Sequence, residues 1–345
     1  MSELLGLEQA QARLLALAPL LPLQSVPTEA ALGRIIAEDI RAARTQPPAD
    51  LSAMDGYALT PGEGPWTLIG ESRAGSPFPG TLAPGECVRI STGAIVPPGA
   101  DRVLLQEDAV RTESAITATE MPPPGRHIRL AGFDFCSGDL LMTRGSRITA
   151  GRMALALAAG HGQVTATRPV RVAVMDSGDE LASDPANCLP HQIPASNGAM
   201  IAALIAPLGC EVIRIGPVPD DRAALAAALA QAEAANILIT SGGASVGDHD
   251  LIKPALTDWG AQIAFWKIAI KPGKPLLVAT RGHQVILGLP GNPVSSFVTA
   301  LLFALPLIRA SQGDPEPLPR PEILRAGEDL PAIGPRREFL RAVRD

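Results

Sequence analysis

The chain has 345 residues, a formal net charge of −6, and 46% hydrophobic but only 3% aromatic residues, which allows two or three domains with aliphatic cores. Its acidic charge argues against a nucleic-acid partner, because such partners favour a basic surface. The scattered cysteines lack metal-ligand spacing and indicate reduced thiols in the cytoplasm; they are Cys87, Cys136, Cys188 and Cys210.

The first part of the sequence, to about residue 168, predicts a helix followed by a small β-rich module. Residues Ser2–Ala18 have the spacing of an amphipathic helix, and the apolar run Leu14–Leu23 is too short and too rich in proline to span a membrane. Short alternating stretches follow, separated by proline and glycine about every ten residues, a pattern typical of β-strands. The predicted elements are the strands Thr67–Gly70, Glu86–Ser91, Arg102–Glu107 and Ala115–Thr119 and the helix Ala150–Ala159.

From Val170 to about residue 312, strands alternate with helices. The predicted strands are Val170–Met175, Glu211–Ile215, Ile237–Thr240, Phe265–Ile270, Leu276–Ala279 and Val285–Leu287. The predicted helices are Ser196–Ala206, Asp221–Ala234 (capped by Asp220 or Asp221) and Val294–Ile308. This alternation predicts a three-layer, doubly wound and mostly parallel α/β sheet, which binds ligands beyond the carboxyl ends of its strands.

Lysines are confined to one short stretch. Of the 29 basic residues only four are lysines, Lys253, Lys267, Lys271 and Lys274. In a regular strand, Lys267 and Lys271 share one face, and the following turn projects Lys274. Three ammonium groups that converge at a strand end suit a phosphate or another oxyanion. The alternative is a solvated sheet edge that lysines protect from aggregation.

A glycine-rich loop follows the strand Ile237–Thr240. Glycines allow a close approach of main-chain N–H groups to an anion, and hydroxyl groups add donors. The alternative is a plain tight turn. The candidate ligand-binding residues in this loop are Ser241, Gly242, Gly243, Ser245, Gly247 and Asp248.

Carboxylates follow two of the predicted strands, and a second turn precedes the last helix. Carboxylates beside an anion site would be explained by a Mg²⁺ ion that bridges them to the anion. The alternative is that they cap helix N-termini. These residues are Asp176, Asp179, Glu180, Asp248 and Asp250. The second turn leaves free N–H groups at a helix start, which favour an anion, although a rigid turn explains it equally well. Its residues are Pro290, Gly291, Asn292, Pro293 and Ser295.

The motifs, taken in order, resemble the molybdopterin molybdenumtransferase family (MoeA-type proteins and the gephyrin E-domain). In the first half the matching stretches are SAMDGYAL at 52–59, STGAIVPPGADRVLLQED at 91–108 and AGFDF at 131–135. In the second half they are SGDEL at 177–181, TSGGASVGDHD at 240–250, FWKIAIKPGKP at 265–275 and LPGNPVS at 289–295. They cover most of residues 25–310. Without this resemblance, the first three stretches are turn sequences of a β module.

The resemblance implies an enzyme that inserts molybdenum from molybdate into adenylylated molybdopterin with release of AMP, using Mg²⁺. It implies a homodimer in which the β module of one subunit completes the cleft of the other, with a molybdopterin adenylyltransferase as upstream donor and no nucleic-acid or membrane partner. The implied catalytic residues are Asp55, Thr92, Asp134, Glu180, Asp250, Lys267, Lys271 and Lys274, with Glu180 and Asp250 as Mg²⁺ ligands. The implied substrate-binding residues are Asp221 (or Asp220), Pro290, Gly291, Asn292, Pro293, Ser295, Arg336 and the glycine-loop residues Ser241, Gly242, Gly243, Ser245, Gly247 and Asp248.

The expected domains are a helix at 1–22 that packs on the α/β domain, a linking domain at 23–40 and 138–168, and a β module at 41–137. They continue with the α/β domain at 169–312 and the start of an incomplete C-terminal β domain at 313–345. Two alternative functions remain at this point. A molybdopterin adenylyltransferase shares the α/β design, although its glycine loop runs SGGTG. A non-catalytic pterin-binding scaffold is compatible with the shortened C-terminal domain.

Overall fold

The computed structural model describes residues 4–242, 251–332 and 334–343. Its first helices are α1 (Leu7–Leu15) and α2 (Ala150–Ala158), with short 3₁₀ turns at Thr28–Ala31 and Gln106–Asp108. The first strands are β1 (Leu23–Pro27), β2 (Ile40–Arg41), β3 (Leu51–Ser52), β4 (Gly56–Leu59), β5 (Trp66–Ser72), β6 (Glu86–Ile90), β7 (Arg102–Leu105), β8 (Ala109–Thr112), β9 (Ala115–Ala118), β10 (Ile128–Arg129), β11 (Leu140–Met142) and β12 (Gln163–Thr167).

Strands and helices alternate in the rest of the chain. The strands are β13 (Arg171–Ser177), β14 (Leu181–Ala182), β15 (Ile193–Pro194), β16 (Glu211–Val218), β17 (Ile237–Ser241), β18 (Gln262–Trp266), β19 (Ile270–Lys271), β20 (Leu277–Arg281), β21 (Gln284–Leu289) and β22 (Arg337–Glu338). The helices are α3 (Asn197–Ile205, extended by a 3₁₀ turn at Ala206–Leu208), α4 (Arg222–Gln231), α5 (Ile252–Asp258), α6 (Pro293–Thr299) and α7 (Leu305–Ser311).

The chain divides into two compact units. Unit 1 consists of residues 1–38, 143–153 and 163–345, and unit 2 consists of residues 39–142 and 154–162. Unit 2 contains a six-stranded sheet in the order β7-β4-β6-β5-β9-β8. Its core includes Leu59, Leu104 and Trp66, whose indole N–H donates a hydrogen bond to the Thr60 carbonyl oxygen at 3.0 Å. The β-rich module expected from the first half of the sequence is therefore present.

Unit 1 is built on a six-stranded sheet in the order β16-β13-β17-β21-β20-β18. The first four strands are mutually parallel, and β20 and β18 are antiparallel to their neighbours. Consecutive residues of a strand point to opposite faces, and Val172 and Val174 of β13 enter one core while Ala173 and Met175 enter the other. Helices cover both faces, so the predicted three-layer, mostly parallel α/β fold is confirmed.

One face of this sheet is covered by a long apolar helix. Helix α6, a π-helical turn at Ala300–Ala304 and α7 form one continuous helix, Pro293–Ser311, that is long and apolar enough to span a membrane. Its residues Phe303, Leu307 and Ile308 are buried in the same core as strands β13, β17 and β21. The apolar composition is therefore explained by packing within the protein core.

The terminal segments add two smaller contacts to unit 1. Helix α1 packs its buried face, including Leu7 and Leu14, into the core that contains the long helix. The predicted helix Ser2–Ala18 is too long, because Leu5 forms a β-bridge with Ile268 before α1 begins at Leu7. Strand β22 pairs in parallel with β19. Whether residues 313–345 begin a further β domain stays a prediction.

Candidate functional site

A pocket lies in unit 1 where the parallel strands β13, β17 and β21 end. The cavity is small, with a volume of about 70 Å³. It is lined by Asp176, Ser177, Glu180, Leu181, Ile193, Pro194, Ala195, Ser196, Asn197, Ser241, Gly242, Gly291 and Pro293. This is the edge at which doubly wound sheets bind ligands. The structure thus brings together five of the predicted site residues, namely Glu180, Ser241, Gly242, Gly291 and Pro293.

Glycines at two positions let the main chain come close enough to form this pocket. Gly242 has a φ of +97°, and a Cβ atom built on it would lie 2.7 Å from the Ser177 carbonyl oxygen. A Cβ atom on Gly198 would lie 2.2 Å from a carboxylate oxygen of Asp176. A larger residue would therefore require the end of β13 to move at Gly242 and the Asp176 carboxylate to move at Gly198.

Two helices begin at the pocket. Helix α3 begins at Asn197, whose side-chain amide donates a hydrogen bond to the Gly291 carbonyl oxygen at 2.8 Å. The long helix begins at Pro293 and is capped by Asn292, whose side-chain oxygen accepts hydrogen bonds from the Ser295 N–H at 3.1 Å and hydroxyl at 3.3 Å. Helix N-termini favour anions through their macrodipole. The turn predicted before the last helix is therefore present.

Two buried polar atoms at the pocket have no hydrogen-bond partner within the described residues. They are the Ser177 hydroxyl oxygen and the Asn197 side-chain oxygen. Buried polar atoms without a partner are costly, and both residues line the pocket. These atoms are therefore available to a ligand. The sequence interpretation missed both as site residues, although Ser177 ends the first strand of the α/β unit and Asn197 begins the following helix.

Two carboxylates, Asp176 and Glu180, line the pocket, and Glu180 and Asp179 lie near Asp220. Burial raises the pKa of Asp176, against the lowering effects of the Gly198 N–H and of Arg214. Burial also raises the pKa of Asp220, and the negative charges of Asp179 and Glu180 add to this increase. The accumulated negative charge would be relieved by a cation. Asp221, in contrast, caps α4 by accepting hydrogen bonds from two main-chain N–H groups at 3.0 and 2.9 Å.

Three of the four lysines, Lys267, Lys271 and Lys274, lie in the hairpin that joins β18 to β20. Trp266 of β18 pairs with Leu277 of β20, which pairs with Gly288 of β21, so this hairpin lies at the same sheet edge as the pocket. The Ile268 N–H donates a hydrogen bond to the Lys274 carbonyl oxygen at 3.0 Å. The Lys271 ammonium group lies 3.1 Å from a carboxylate oxygen of Glu338.

The prediction of one continuous strand at Phe265–Ile270 is wrong. Strand β18 ends at Trp266, and Lys267 has a φ of +70°, in the left-handed region. This conformation interrupts strand alternation, so period-two spacing does not decide which way Lys267 and Lys271 point. The Lys267 ammonium group instead lies 4.0 Å from the centre of the Trp266 ring.

Unit 2 holds the three site residues implied for the β module. Asp55 accepts hydrogen bonds from the Thr92 N–H at 2.7 Å and from the Thr92 hydroxyl at 3.1 Å. Asp134 forms an ion pair with Arg129. The structure thus joins Asp55 directly to Thr92, and both residues are exposed.

The remaining predicted residues have less defined surroundings. Pro290 lies in the loop after β21, and Arg336 directly precedes β22. Within residues 4–242, 251–332 and 334–343, no group of three or more His, Cys, Asp or Glu side chains is placed to hold a metal ion. The predicted residues Gly243, Ser245, Gly247, Asp248 and Asp250 lie outside the described residues.

A pocket at the carboxyl edge of a doubly wound sheet, beside two helix N-termini, is typical of α/β proteins that bind phosphate-bearing ligands. Family models described as "MoeA N-terminal region (domain I and II)" and "Probable molybdopterin binding domain" match residues 5–160 and 173–310. The chain belongs to the molybdopterin molybdenumtransferase family, and it is therefore a transferase of molybdenum cofactor biosynthesis.

Relatives and solved structures support this membership. The chain is 38% identical over 318 residues to a molybdopterin molybdenumtransferase of Haemophilus influenzae, covering 90% of this chain and 78% of the relative. It is 37% identical over 297 residues to one from a Nostoc species, covering 82% of this chain and 68% of the relative. Two solved structures of the molybdopterin biosynthesis MoeA protein from Pyrococcus horikoshii superpose with a TM-score of 0.73, at 31% and 25% identity. They cover 90% and 91% of this chain and 81% of each solved chain.

Proposed function

We propose that this chain transfers molybdenum from molybdate to adenylylated molybdopterin, with cleavage of the adenylyl bond and release of AMP in the cytoplasm. The observation that supports this proposal is the pocket at the ends of β13, β17 and β21. It combines two helix N-termini, unpartnered buried oxygens of Ser177 and Asn197, and a lysine-bearing hairpin at the same sheet edge. A substrate with a diphosphate linkage and a polar ring system matches these features.

Each part of the site has a task in this proposal. The helix N-termini at Asn197 and Pro293 favour the phosphate groups, and the Ser177 hydroxyl and Asn197 side-chain oxygen bond to polar atoms of the ring system. Lys267, Lys271 and Lys274 neutralise the oxyanions. Charges that are already positioned before the reaction stabilise developing negative charge without further reorganisation.

Mg²⁺ is part of the proposal as a cation shared between protein and phosphate. The carboxylates Asp179, Glu180 and Asp220 lie close enough for the first two to raise the pKa of the third, which fits a nearby cation. Mg²⁺ commonly takes only one or two protein carboxylates beside substrate phosphates and water. Glu180, which lines the pocket, would hold it, and bound Mg²⁺ would withdraw charge from the phosphate oxygens.

The proposal also includes a homodimer that receives its substrate from a molybdopterin adenylyltransferase. In such a dimer, the module that carries Asp55, Thr92 and Asp134 would complete the cleft of the partner subunit. The Asp55–Thr92 hydrogen bonds hold one carboxylate oxygen of Asp55, and among the described residues no hydrogen bond engages the other oxygen.

The test is the release of AMP from adenylylated molybdopterin by the 345-residue chain with Mg²⁺. Molybdate is expected to increase this release, and Lys274→Ala is expected to lower it at least about tenfold. The free energy of unfolding should change by less than about 1 kcal/mol, because an exposed lysine adds little to folding. Arg13→Ala removes the same charge from an exposed position of α1 and should leave the rate unchanged.

Other outcomes would favour the alternative functions. Accumulation of adenylylated molybdopterin from molybdopterin and ATP, without molybdate, would identify an adenylyltransferase. Binding of the adenylylated substrate without any molybdate-dependent release of AMP would identify a scaffold. Either result contradicts the proposed transferase reaction.

A further inference from the structure

Two lysine ammonium groups lie against the same tryptophan ring. The Lys253 ammonium group is 4.5 Å and the Lys267 ammonium group 4.0 Å from the centre of the Trp266 ring. Cations are attracted to the face of an indole ring, which is the strongest such partner among the side chains. The ring therefore fixes the positions of two charges that belong to different elements, because Lys253 lies in α5 and Lys267 follows β18.

The main chain has to leave regular strand geometry to make this arrangement. Side chains of neighbouring residues in a strand point to opposite faces, so Lys267 could not cover the adjacent Trp266 ring if β18 continued. Lys267 instead has a φ of +70°, and its N–H donates a hydrogen bond to the Leu276 carbonyl oxygen at 3.1 Å. The left-handed residue thus directs the lysine to its neighbour's ring.

The ring itself is held by the protein core. Trp266 is half-buried and packs against the core that lies between the sheet and helices α4 and α5. Lys253 is exposed, and Lys267 is half-buried. The ammonium groups are therefore fixed on one side by a rigid ring, while Lys253 remains accessible to solvent.

Within the described residues, neither lysine has a carboxylate partner. Lys271, in contrast, forms an ion pair with Glu338. Two positive charges in contact with one ring repel each other, and an anion bound beside them would lower this repulsion. The pair lies at the carboxyl edge of the sheet, because Trp266 is in register with Leu277 and, through it, with Gly288 of β21.

We propose that Trp266 is a positioning residue that holds Lys253 and Lys267 as a binding site for a doubly charged tetrahedral oxyanion. Lys253 is then a substrate-binding residue in addition to those expected from the sequence motifs. This inference rests on the proposed function, which supplies two sources of such an oxyanion, namely molybdate and the phosphate of the adenylyl group.

The test measures the binding of molybdate and of AMP, each alone, by calorimetry on the full chain. Trp266→Leu removes the ring face and is expected to weaken the binding of at least one of these anions about tenfold. Trp266→Phe keeps an aromatic face and should restore binding to within about threefold of the original. Lys253→Gln should weaken the binding of the same anion, and Lys253→Arg should retain most of the affinity for it.

The losses of anion affinity caused by Trp266→Leu and Lys253→Gln should not add up in the double variant, because each substitution removes the same site. Trp259 offers a matched control, since Arg281 lies 4.2 Å from its ring centre and Arg281 ends β20 at the opposite edge of the sheet. Trp259→Leu should therefore leave anion binding unchanged. Near-ultraviolet circular dichroism checks that each variant is folded.

A loss confined to molybdate assigns the site to the metal oxyanion, and a loss confined to AMP assigns it to the adenylyl phosphate. The proposal is overturned if Trp266→Leu or Lys253→Gln binds both anions as the unaltered chain does, or if the unaltered chain binds neither. It is also overturned if Trp266→Phe is as defective as Trp266→Leu. If the unaltered chain binds these anions but releases no AMP from the adenylylated substrate, the proposed reaction is contradicted while this anion site is still supported.

Discussion

Asp176 is a carboxylate that the protein keeps almost fully buried, at 3% exposure. It accepts hydrogen bonds from the Gly198 N–H, at 2.9 and 3.1 Å to its two oxygens, and Arg214 lies 3.8 Å away. Even so, burial dominates and raises its pKa above the ordinary value. The residue therefore anchors the first turn of α3 at a cost in stability whenever it is ionised.

We predict that Asp176→Asn is more stable than the original chain at neutral pH, and that this difference in the free energy of unfolding is smaller at acid pH. The folded-state pKa of Asp176 is raised, so the unfolded state releases its proton first, and the original chain loses stability as the pH rises through the raised pKa. Asparagine keeps an oxygen that can accept the Gly198 hydrogen bond but does not ionise. Urea unfolding between pH 4 and pH 8 should show a difference between the two chains that grows with pH and then becomes constant.

Asp184 provides a control of opposite sign. Its pKa is lowered, chiefly by the Asn187 side-chain amide and then by the Ala186 N–H. This stabilisation is present above the ordinary pKa of aspartate and is lost as the pH falls, so Asp184→Asn should cost stability mainly at higher pH. A pH-independent difference between Asp176→Asn and the original chain would contradict the assignment of a raised pKa.

At the scale of elements, the first turns of α3 and of the long helix face the same pocket, yet their N-termini are satisfied differently. Asn292 caps the long helix through its side-chain oxygen. Ser196, at the equivalent position before α3, makes no side-chain cap, and the Gly198 N–H bonds to Asp176 instead. The first N–H groups of the long helix are thus capped by a residue next to them in the sequence, whereas an N–H group at the start of α3 bonds to a side chain of strand β13.

We predict that Asn292→Ala lowers the free energy of unfolding by about 1 kcal/mol, because it removes the cap of the long helix. Asn292→Asp should retain the cap and the stability, but its negative charge should weaken the binding of AMP or molybdate. Chemical unfolding and calorimetry measure the two effects separately. Ser196→Ala, which removes no cap, should change stability by less than about 0.5 kcal/mol; an equal loss in both alanine variants would contradict the capping argument.

The sequence predicted those elements whose signals are local. An aspartate cap at Asp220 or Asp221, a last helix starting within one residue of Pro293, and the buried strands of the α/β sheet were recognisable because capping residues and apolar runs act within a few positions. The strand through Lys267 was predicted wrongly because Ile268 and Ile270, both fully buried, continue an apolar alternation across a left-handed residue. Only the tertiary hydrogen bonds to Leu276 and Lys274 reveal that break.

Much of the candidate site could be named from sequence motifs, but its contacts could not. The roles of Ser177 and Asn197 depend on which atoms remain unpaired after folding, and no spacing rule supplies that information. The position of Lys253 against Trp266 joins residues of different elements. The Lys271–Glu338 ion pair joins residues that are far apart in the sequence, so it too could not be read from the motifs.

At the scale of the whole molecule, a chain of net charge −6 is proposed to bind an anionic substrate. The Debye length is about 8 Å at physiological ionic strength, so distant charges are largely screened and nearby charges dominate. The lysines all lie in unit 1 between residues 253 and 274. Glu338 neutralises one of them through β22, which pairs with β19.

We predict that Glu338→Gln strengthens the binding of molybdate or AMP about threefold at low salt, because it frees Lys271 from an exposed ion pair of small energy. The gain should disappear near 1 M salt, where charges are screened. Calorimetric titration at low and high salt measures it. Glu316→Gln removes the same charge from the exposed pair with Arg320; an equal gain there would show that net charge, and not Lys271, is responsible.

The close approach of Gly242 and Gly291 has a consequence for how this family can diversify. A Cβ atom on Gly291 would lie 3.6 Å from the Gly242 Cα atom, which is ordinary van der Waals contact, so these two glycines face each other without an intervening side chain. At this point the width of the pocket is set by the main chain, whereas its preference among oxyanions depends on the side chains around the pocket. Relatives that prefer a different ligand should keep this glycine contact and differ in the side chains around the pocket.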